Sequence, residues 1–382
     1  MRILVLGGDG YLGWPTAMHL TARGHDVAVV DNYLRRRLCR EENVEPLFEV
    51  PNLEERAGIW ESVSGYHIPV FIADLRDWKS VEEVFQTFTP EAVVHYAEQP
   101  SAPYSMLSRR AAVLTLNNNL SVTMNVIFAV KEFVPEAQIV KIGTMGEYGT
   151  PNIDIEEGWM EIEHKGRKDR FLYPRQASSL YHTTKIMDTD LLWFYVRLCD
   201  LRVTDLMQGP VYGLFTDENR EHKNLLPFLN YDEIFGTVLN RFVVQAVAGY
   251  PLTVYGKGGQ TRGYLNIMDT LNCVRLSLEN PPPGGNLRIF NQFTETFTVN
   301  ELAGRVQRVG RSLGLKVQVS SLENPRKEAE EHYYNPVHTG LVDLGLEPHF
   351  LTDDVLVQMM EEVAQHKDHI REHMIFRKIL WA

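Results

Sequence analysis

The run Gly7-Gly8-Asp9-Gly10-Tyr11-Leu12-Gly13 constrains this chain more than any other stretch. It lies directly between an apolar segment that reads as a strand, Arg2–Leu6, and one that reads as a helix. Glycines at 7, 10 and 13 allow a tight turn at positive φ, a close approach of backbone to a phosphate, and near packing of helix on strand. The helix that follows offers unpaired N–H groups to an anion. A glycine triplet alone is weak evidence, and the strand–turn–helix setting is what makes it a dinucleotide-binding signature.

The N-terminal half continues in the same rhythm. The first helix is expected to run to about Arg23, and further strands are predicted at Asp26–Val30, Pro69–Ile72, Ala92–His95, Gln138–Ile142 and Arg202–Met207. These runs are continuously apolar rather than alternating, as strands covered by helices on both faces must be. The predicted class is α/β, a Rossmann doubly wound parallel sheet. From about Gly209 the loops lengthen and gain Pro, Gly and Asn. The expected division is therefore 1–208 for the cofactor domain and 209–382 for a smaller lobe over the sheet's carboxyl edge, with parts of it returning to the sheet.

Composition removes several function classes. A net charge of -12 argues against non-specific nucleic-acid binding and against docking on anionic membranes. Cys39, Cys199 and Cys273 show no metal-ligand spacing, so neither a disulfide framework nor a metal site is expected. No apolar run approaches the roughly 18 residues of a membrane helix. With the first strand at Arg2, no targeting segment is expected ahead of it, and the reading is cytoplasmic.

Asp31 closes the second strand, where a carboxylate accepts hydrogen bonds from the adenosine ribose and repels a 2′-phosphate. NAD is the expected cofactor, although Arg35-Arg36-Arg37 nearby are the kind of cations that draw a phosphate. Asp74-Leu75, after the third strand, are expected beside the adenine.

Tyr181-His182-Thr183-Thr184-Lys185 is a YxxxK, which places both side chains on one helix face. An ammonium beside a phenol lowers the phenol's pKa from about 10 and makes it a usable base. The strand before it ends in Gly143-Thr144, whose hydroxyl is placed to share a substrate proton with Tyr181. This is the pattern of the short-chain dehydrogenase/reductases, in their extended form given the chain length.

A closer likeness rests on long, idiosyncratic runs spread along the chain: Thr144–Gly158 (TMGEYGTPNIDIEEG), Leu252–Tyr264 (LTVYGKGGQTRGY), Asn291–Glu295 (NQFTE) and Asn324–Asn335 (NPRKEAEEHYYN). In these the chain resembles the UDP-sulfoquinovose synthase family. The resemblance implies that UDP-glucose is oxidised at C4 by hydride transfer to NAD, that water leaves from C6, that sulfite adds to the 5,6-ene, and that the hydride then returns.

It further implies Tyr181 as base, Lys185 as its tuner and ribose ligand, Thr144 as orienter of the 4-hydroxyl, and His182 in proton traffic at C5 or C6 or in contact with sulfite. Cofactor contacts implied are Gly7, Gly10, Tyr11, Leu12, Gly13, Asp31, Asn32, Arg35, Asp74, Leu75, Ala97 and Gln99, with Asn119 organising the surroundings of Lys185. Substrate contacts implied are Thr144, Met145, Gly146, Glu147, Gln208, Gln260 and Glu328, a backbone grip on uracil from Thr253-Val254-Tyr255, and a diphosphate clamp from Arg262 and Arg326. Extended members of the superfamily dimerise through two helices, here about Ala111–Phe133 and Tyr181–Leu198, so a homodimer is expected. No metal is implied.

Met145 and Gly146 stand where sugar 4,6-dehydratases carry an acid and a Glu, which argues against that reaction. One departure bears on sulfite. Family members carry Gln-Arg-Ser-Ala-Pro where this chain has Gln99-Pro100-Ser101-Ala102-Pro103. A related 5,6-dehydratase or 4-epimerase that does not use sulfite therefore stays open as the second reading.

Overall fold

The computed structural model describes residues 1–323 and 332–377. Its frame is a seven-stranded, wholly parallel sheet of β1 (Arg2–Leu6), β2 (Asp26–Asp31), β3 (Val70–Ile72), β4 (Ala92–His95), β5 (Gln138–Thr144), β6 (Arg202–Gln208) and β7 (Asn286–Gln292), in the order β7-β6-β5-β4-β1-β2-β3. Chain direction across the sheet reverses between β1 and β4, and there the carboxyl ends of the strands open a crevice. The interior residues of β1, β2, β4 and β5 are buried on both faces, which is why β1, β2 and β4 read as unbroken apolar runs, whereas β5 carries Lys141 inward.

Differences from the sequence reading are local. The first helix, α1 (Gly13–Thr21), stops before Arg23, and β5 and β6 extend to Thr144 and Gln208. The seventh strand was not predicted. β7 comes from beyond residue 209 and pairs along its whole length with β6, from Arg202↔Asn286 to Gln208↔Gln292. A hairpin, Trp159–His164 with Arg167–Leu172, stands between β5 and the catalytic helix and was also unpredicted.

Two long helices pack side by side on one face of the sheet, α2 (Arg109–Phe133) and α3 (Leu180–Cys199). Ser108 caps α2 by accepting from the Ala111 N–H, and Ser179 caps α3 by accepting from the His182 N–H. Contrary to the hydropathy reading, α2 is long and apolar enough to cross a membrane, the one such helix among the described residues. Half of its apolar stretch is buried inside the fold, as befits a core helix.

The second lobe has its own core. Phe242, Val243, Leu302, Val306, Leu356 and Met360, from helices Val238–Ala248, Val299–Ser312 and Asp353–Gln365, close around Tyr264 and Val254. The lobe also carries two small sheets, Val211–Tyr212 with Thr261–Asn266 and Glu295–Thr298, and Leu252–Tyr255 with Val319–Leu322.

Candidate active site

The crevice is a cavity of about 820 Å³ that runs from the Gly-rich turn, past the ends of β4, β5 and β6, to the second lobe. Gly7, Gly10, Tyr11, Leu12 and Gly13 line one end. Gly7 adopts φ +87°, and a Cβ there would lie 2.8 Å from the Tyr96 carbonyl carbon. At Gly13 a Cβ would lie 2.1 Å from the Gly7 oxygen. Both glycines are thus required by backbone contact, and α1 begins without a side-chain cap, leaving its first N–H groups to an anion. Asp31, Asn32, Arg35, Leu75 and Ala97 line the same end, a set of groups suited to NAD.

Asp31 is held by two backbone donors, the Asp9 N–H at 2.9 Å and the Tyr33 N–H at 2.6 Å. Burial, and then the neighbouring Asp9 charge, still push its carboxyl up to about 6. Two of the three arginines are committed within the protein, and the third stays on the cavity wall. Arg36 is bonded to Asp9, Arg37 to the Asn32 carbonyl, and Arg35 lies over the Phe235 ring at 4.2 Å.

At the middle of the cavity Thr144, Tyr181, His182 and Lys185 come together. Thr144 ends β5 and caps the short turn Met145–Glu147, its hydroxyl oxygen accepting from the Gly146 N–H at 3.2 Å. That leaves its own proton to donate. The Tyr181 N–H is anchored on Ser105 Oγ at 3.1 Å. Burial first, then the charges of Glu98 and Glu147, push the Tyr181 phenol up from its ordinary value. His182 donates or accepts through Nδ1 with Ser178 Oγ at 3.1 Å, and its ring leans over Gly146, where a Cβ would lie 2.3 Å from Nε2.

Lys185 has a partner that sequence reasoning missed. Its ammonium donates to Glu98 Oε1 at 2.5 Å, and His95 Nε2 stands 3.8 Å from the same oxygen. Burial opposes the charge on Lys185, yet Glu98 holds its pKa above the usual value. Burial likewise opposes the carboxylate of Glu98, and Lys185 holds its pKa below the ordinary one. His95, wholly buried, is pushed down to about 4 by burial despite Glu98, and is neutral. Asn119 acts one step removed from Lys185: it donates to Thr184 Oγ1 at 3.0 Å and accepts from the Gln99 N–H at 2.9 Å, tying α2, α3 and the loop after β4 together.

Several predicted site residues do not line the cavity. Glu147 faces the other way, into a buried cluster with Lys141, Arg175, Thr189 and Asp205, because two cations draw its carboxylate inward. Lys141 Nζ reaches Asp205 at 3.1 Å, Thr189 at 2.9 Å and the Lys185 carbonyl at 3.3 Å, so this cluster fixes the helix that carries the Tyr–Lys pair. Gln99 is spent on Ser101 and Thr115, and Asp74 on Arg76 at 2.6 Å. Val254 belongs to the second lobe's core.

At the far end Gln208, Thr253, Tyr255, Gln260 and Arg262 line the wall, with Met145, Gly146 and Pro100 nearer the centre. The Thr253 N–H already donates to Gln245 Oε1 at 3.1 Å, so that part of the expected backbone grip is committed within the protein. Arg262 Nη1 lies 2.9 Å from His332 Nε2. Arg241, bonded to Glu233 and Thr253, is a second cation on this wall that the sequence did not single out. Arg326 and Glu328 fall outside the described residues. Among those residues no cluster of His, Cys, Asp or Glu fit for a metal occurs, and all three cysteines are free thiols.

Known proteins resemble the chain in sequence and in fold. Residues 3–291 match the NAD dependent epimerase/dehydratase family. A chloroplastic UDP-sulfoquinovose synthase of Spinacia oleracea is 49% identical over all of this chain and 79% of its own length. A UDP-sulfoquinovose synthase of Sulfolobus acidocaldarius is 45% identical over all of this chain and 98% of its own. Among solved structures, a UDP-glucose 4-epimerase of Thermus thermophilus in complex with NAD superposes with a TM-score of 0.66 at 24% identity, covering 95% of this chain and 99% of that one.

Proposed function

The chain belongs to the NAD dependent epimerase/dehydratase family and, within it, to the UDP-sulfoquinovose synthases, and from that premise we propose that it converts UDP-glucose and sulfite into UDP-sulfoquinovose and water. NAD, when bound, supplies a reversible acceptor for the hydrogen at C4 of the sugar, and the Gly-rich turn, α1 and Asp31 hold it. Tyr181, once ionised to its phenolate, takes the proton of the C4 hydroxyl. Thr144, whose oxygen already accepts from the Gly146 N–H, donates a hydrogen bond to that C4 oxygen and orients it without giving up its proton. Lys185 holds positive charge beside this exchange.

The ketone so formed acidifies C5–H, and loss of that proton with departure of water from C6 gives the 5,6-ene. His182, leaning over Gly146, serves proton movement at C5 and C6. The sulfur of sulfite bonds to C6, a proton returns to C5, and Tyr181 returns its proton to the C4 oxygen as hydrogen returns to that carbon. Arg262 and Arg241 supply cations for the diphosphate end.

The observation that carries the proposal is the meeting of Thr144, Tyr181 and Lys185 with the Gly-rich turn in one cavity whose positions 145 and 146 offer no acid. The test is incubation with UDP-glucose, with and without sulfite, followed by mass spectrometry of the nucleotide sugars. A sulfonated product that requires sulfite is expected. Sugar turnover that is independent of sulfite and yields no sulfonate would overturn the reading, in favour of a 5,6-dehydratase or 4-epimerase.

In the same reading the protein is a homodimer joined through α2 and α3, whose surfaces expose Val113, Met187, Phe194 and Leu198. Light scattering on a sizing column checks this, and a monomer mass would refute it. The division of labour is 1–208 for cofactor and chemistry and 209 onward for the nucleotide sugar. Three free thiols suit a reducing compartment, here the cytoplasm.

A further inference from the structure

One residue of the Gly-rich turn is itself charged and almost wholly inaccessible. Asp9 is 1% exposed, and buried carboxylates are kept in folds only when paired. Its two oxygens meet the fork of Arg36, Nε to Oδ2 at 2.7 Å and Nη2 to Oδ1 at 2.8 Å. Arg56, also fully buried, donates Nη2 to the same Oδ1 and lies over the Trp14 ring at 5.0 Å. The remaining reach of Arg36 goes to the carbonyls of Val50 and Pro51, at 2.9 and 2.8 Å. The main chain of Asp9 does something different: its N–H donates to Asp31 Oδ2 at 2.9 Å.

Side chain and main chain of Asp9 therefore act on the two opposing determinants of cofactor choice. A guanidinium close behind the second strand is the group that accommodates a phosphate on the adenosine ribose. Here that guanidinium is tied up in an ion pair with Asp9, and with the Val50 and Pro51 carbonyls it has four of its five N–H groups committed. A carboxylate at the end of the strand is the group that excludes the phosphate, and here it is fixed in place by the Asp9 N–H. Arg37 turns to the Asn32 carbonyl, while Arg35 lies over the Phe235 ring at the cavity wall and is the same in every variant of the test.

We infer that Asp9 is a cofactor-selectivity residue: it locks Arg36 and Arg56 into ion pairs and seats Asp31, so that the adenosine end of the site turns away dinucleotides carrying a ribose phosphate. The inference rests on the Gly-rich turn being the cofactor cradle.

Binding of NADH and of NADPH, followed by nicotinamide fluorescence without sugar substrate, tests it in the full chain and three variants. In Asp31→Ser the preference for NADH narrows but is not lost, because Arg36 remains engaged by Asp9. In Asp9→Asn the NADH-to-NADPH affinity ratio narrows by about tenfold or more, the scale of one charge-assisted contact to a phosphate. In Asp9→Asn combined with Arg36→Ala the original ratio returns.

Equal affinity for the two cofactors in Asp31→Ser alone would overturn the inference. So would an unchanged ratio in Asp9→Asn with a cooperative thermal transition. Should Asp9→Asn not fold, Asp31→Ser still decides between the outcomes. A wild-type chain that binds neither nucleotide would overturn the cradle itself, and with it this inference.

Discussion

Replacing Glu98 by Gln isolates the charge that sits on the catalytic lysine. The amide keeps the size of the side chain and an oxygen that accepts from Lys185, but removes the anion now 2.5 Å from the ammonium. Glu98 is, after burial, the largest influence holding the Tyr181 phenol in its neutral form. A like-signed neighbour at contact range shifts an ionisation by roughly 1–3 units, and the buried setting admits little screening. Lys185 stays protonated in the variant, since Asp188 and Glu147 also favour its charge.

The sign follows directly. Taking away a negative charge makes the phenolate easier to form, so the acidic limb of the rate profile moves to lower pH, by about 1 unit at least, or tenfold in rate on that limb. Single-turnover mixing with UDP-glucose, read at the absorbance of reduced nicotinamide over a range of pH, measures it. An unmoved limb, or one moved to higher pH, in a variant with intact circular dichroism would refute both the role of Glu98 and the assignment of Tyr181 as the group that titrates.

Tyr181→Phe removes the phenol while leaving the cavity wall, so nucleotide binding persists and the first oxidation slows by a factor on the order of 10²–10⁴; calorimetric titration with NADH alongside the rate checks both halves. Asp31, held near 6 by burial and by Asp9, is protonated below that value, so preference for NADH over NADPH narrows as pH falls through about 6. Binding of both nucleotides on either side of that pH measures the change. Lys141→Met strips the cation from a buried pair of carboxylates, Glu147 and Asp205, and lowers stability by about 3–5 kcal/mol, seen in the urea midpoint. Gly13→Ala drives a Cβ against the Gly7 carbonyl and abolishes nucleotide binding while the second lobe stays folded, a difference that NADH titration and hydrogen exchange in helices Val238–Ala248 and Val299–Ser312 together resolve.

Sequence pattern made β1, β2 and β4 legible because their interior residues are sealed on both faces and therefore apolar, while β5 and β6 stayed legible in spite of the inward charges of Lys141 and Asp205. β7 hid because Asn286, Arg288, Asn291 and Gln292 interrupt its apolar residues on an edge strand of the sheet. Residues that touch a future ligand through their own backbone, such as Gly7 and Gly13, announced themselves by lacking a side chain. Charged residues that work by facing inward did not. Glu98, Lys141, Asp205 and Asp9 look like surface groups in a linear chain, and only the meeting of segments far apart shows that each is bonded to an opposite charge. Glu147 failed for the same reason in reverse: its position in the motif suggested the cavity, while the cations behind the sheet claimed it.

The late arrival of β7 has a consequence for biosynthesis. Its last residue is paired with a strand 84 positions earlier, so while a ribosome is still extending the chain, Arg202–Gln208 waits as a bare flank of unsatisfied amides and carbonyls. Excising the nucleotide-binding half at residue 208 as a stand-alone module would make that exposure permanent, and such a fragment is expected to associate through the orphaned strand rather than remain dispersed.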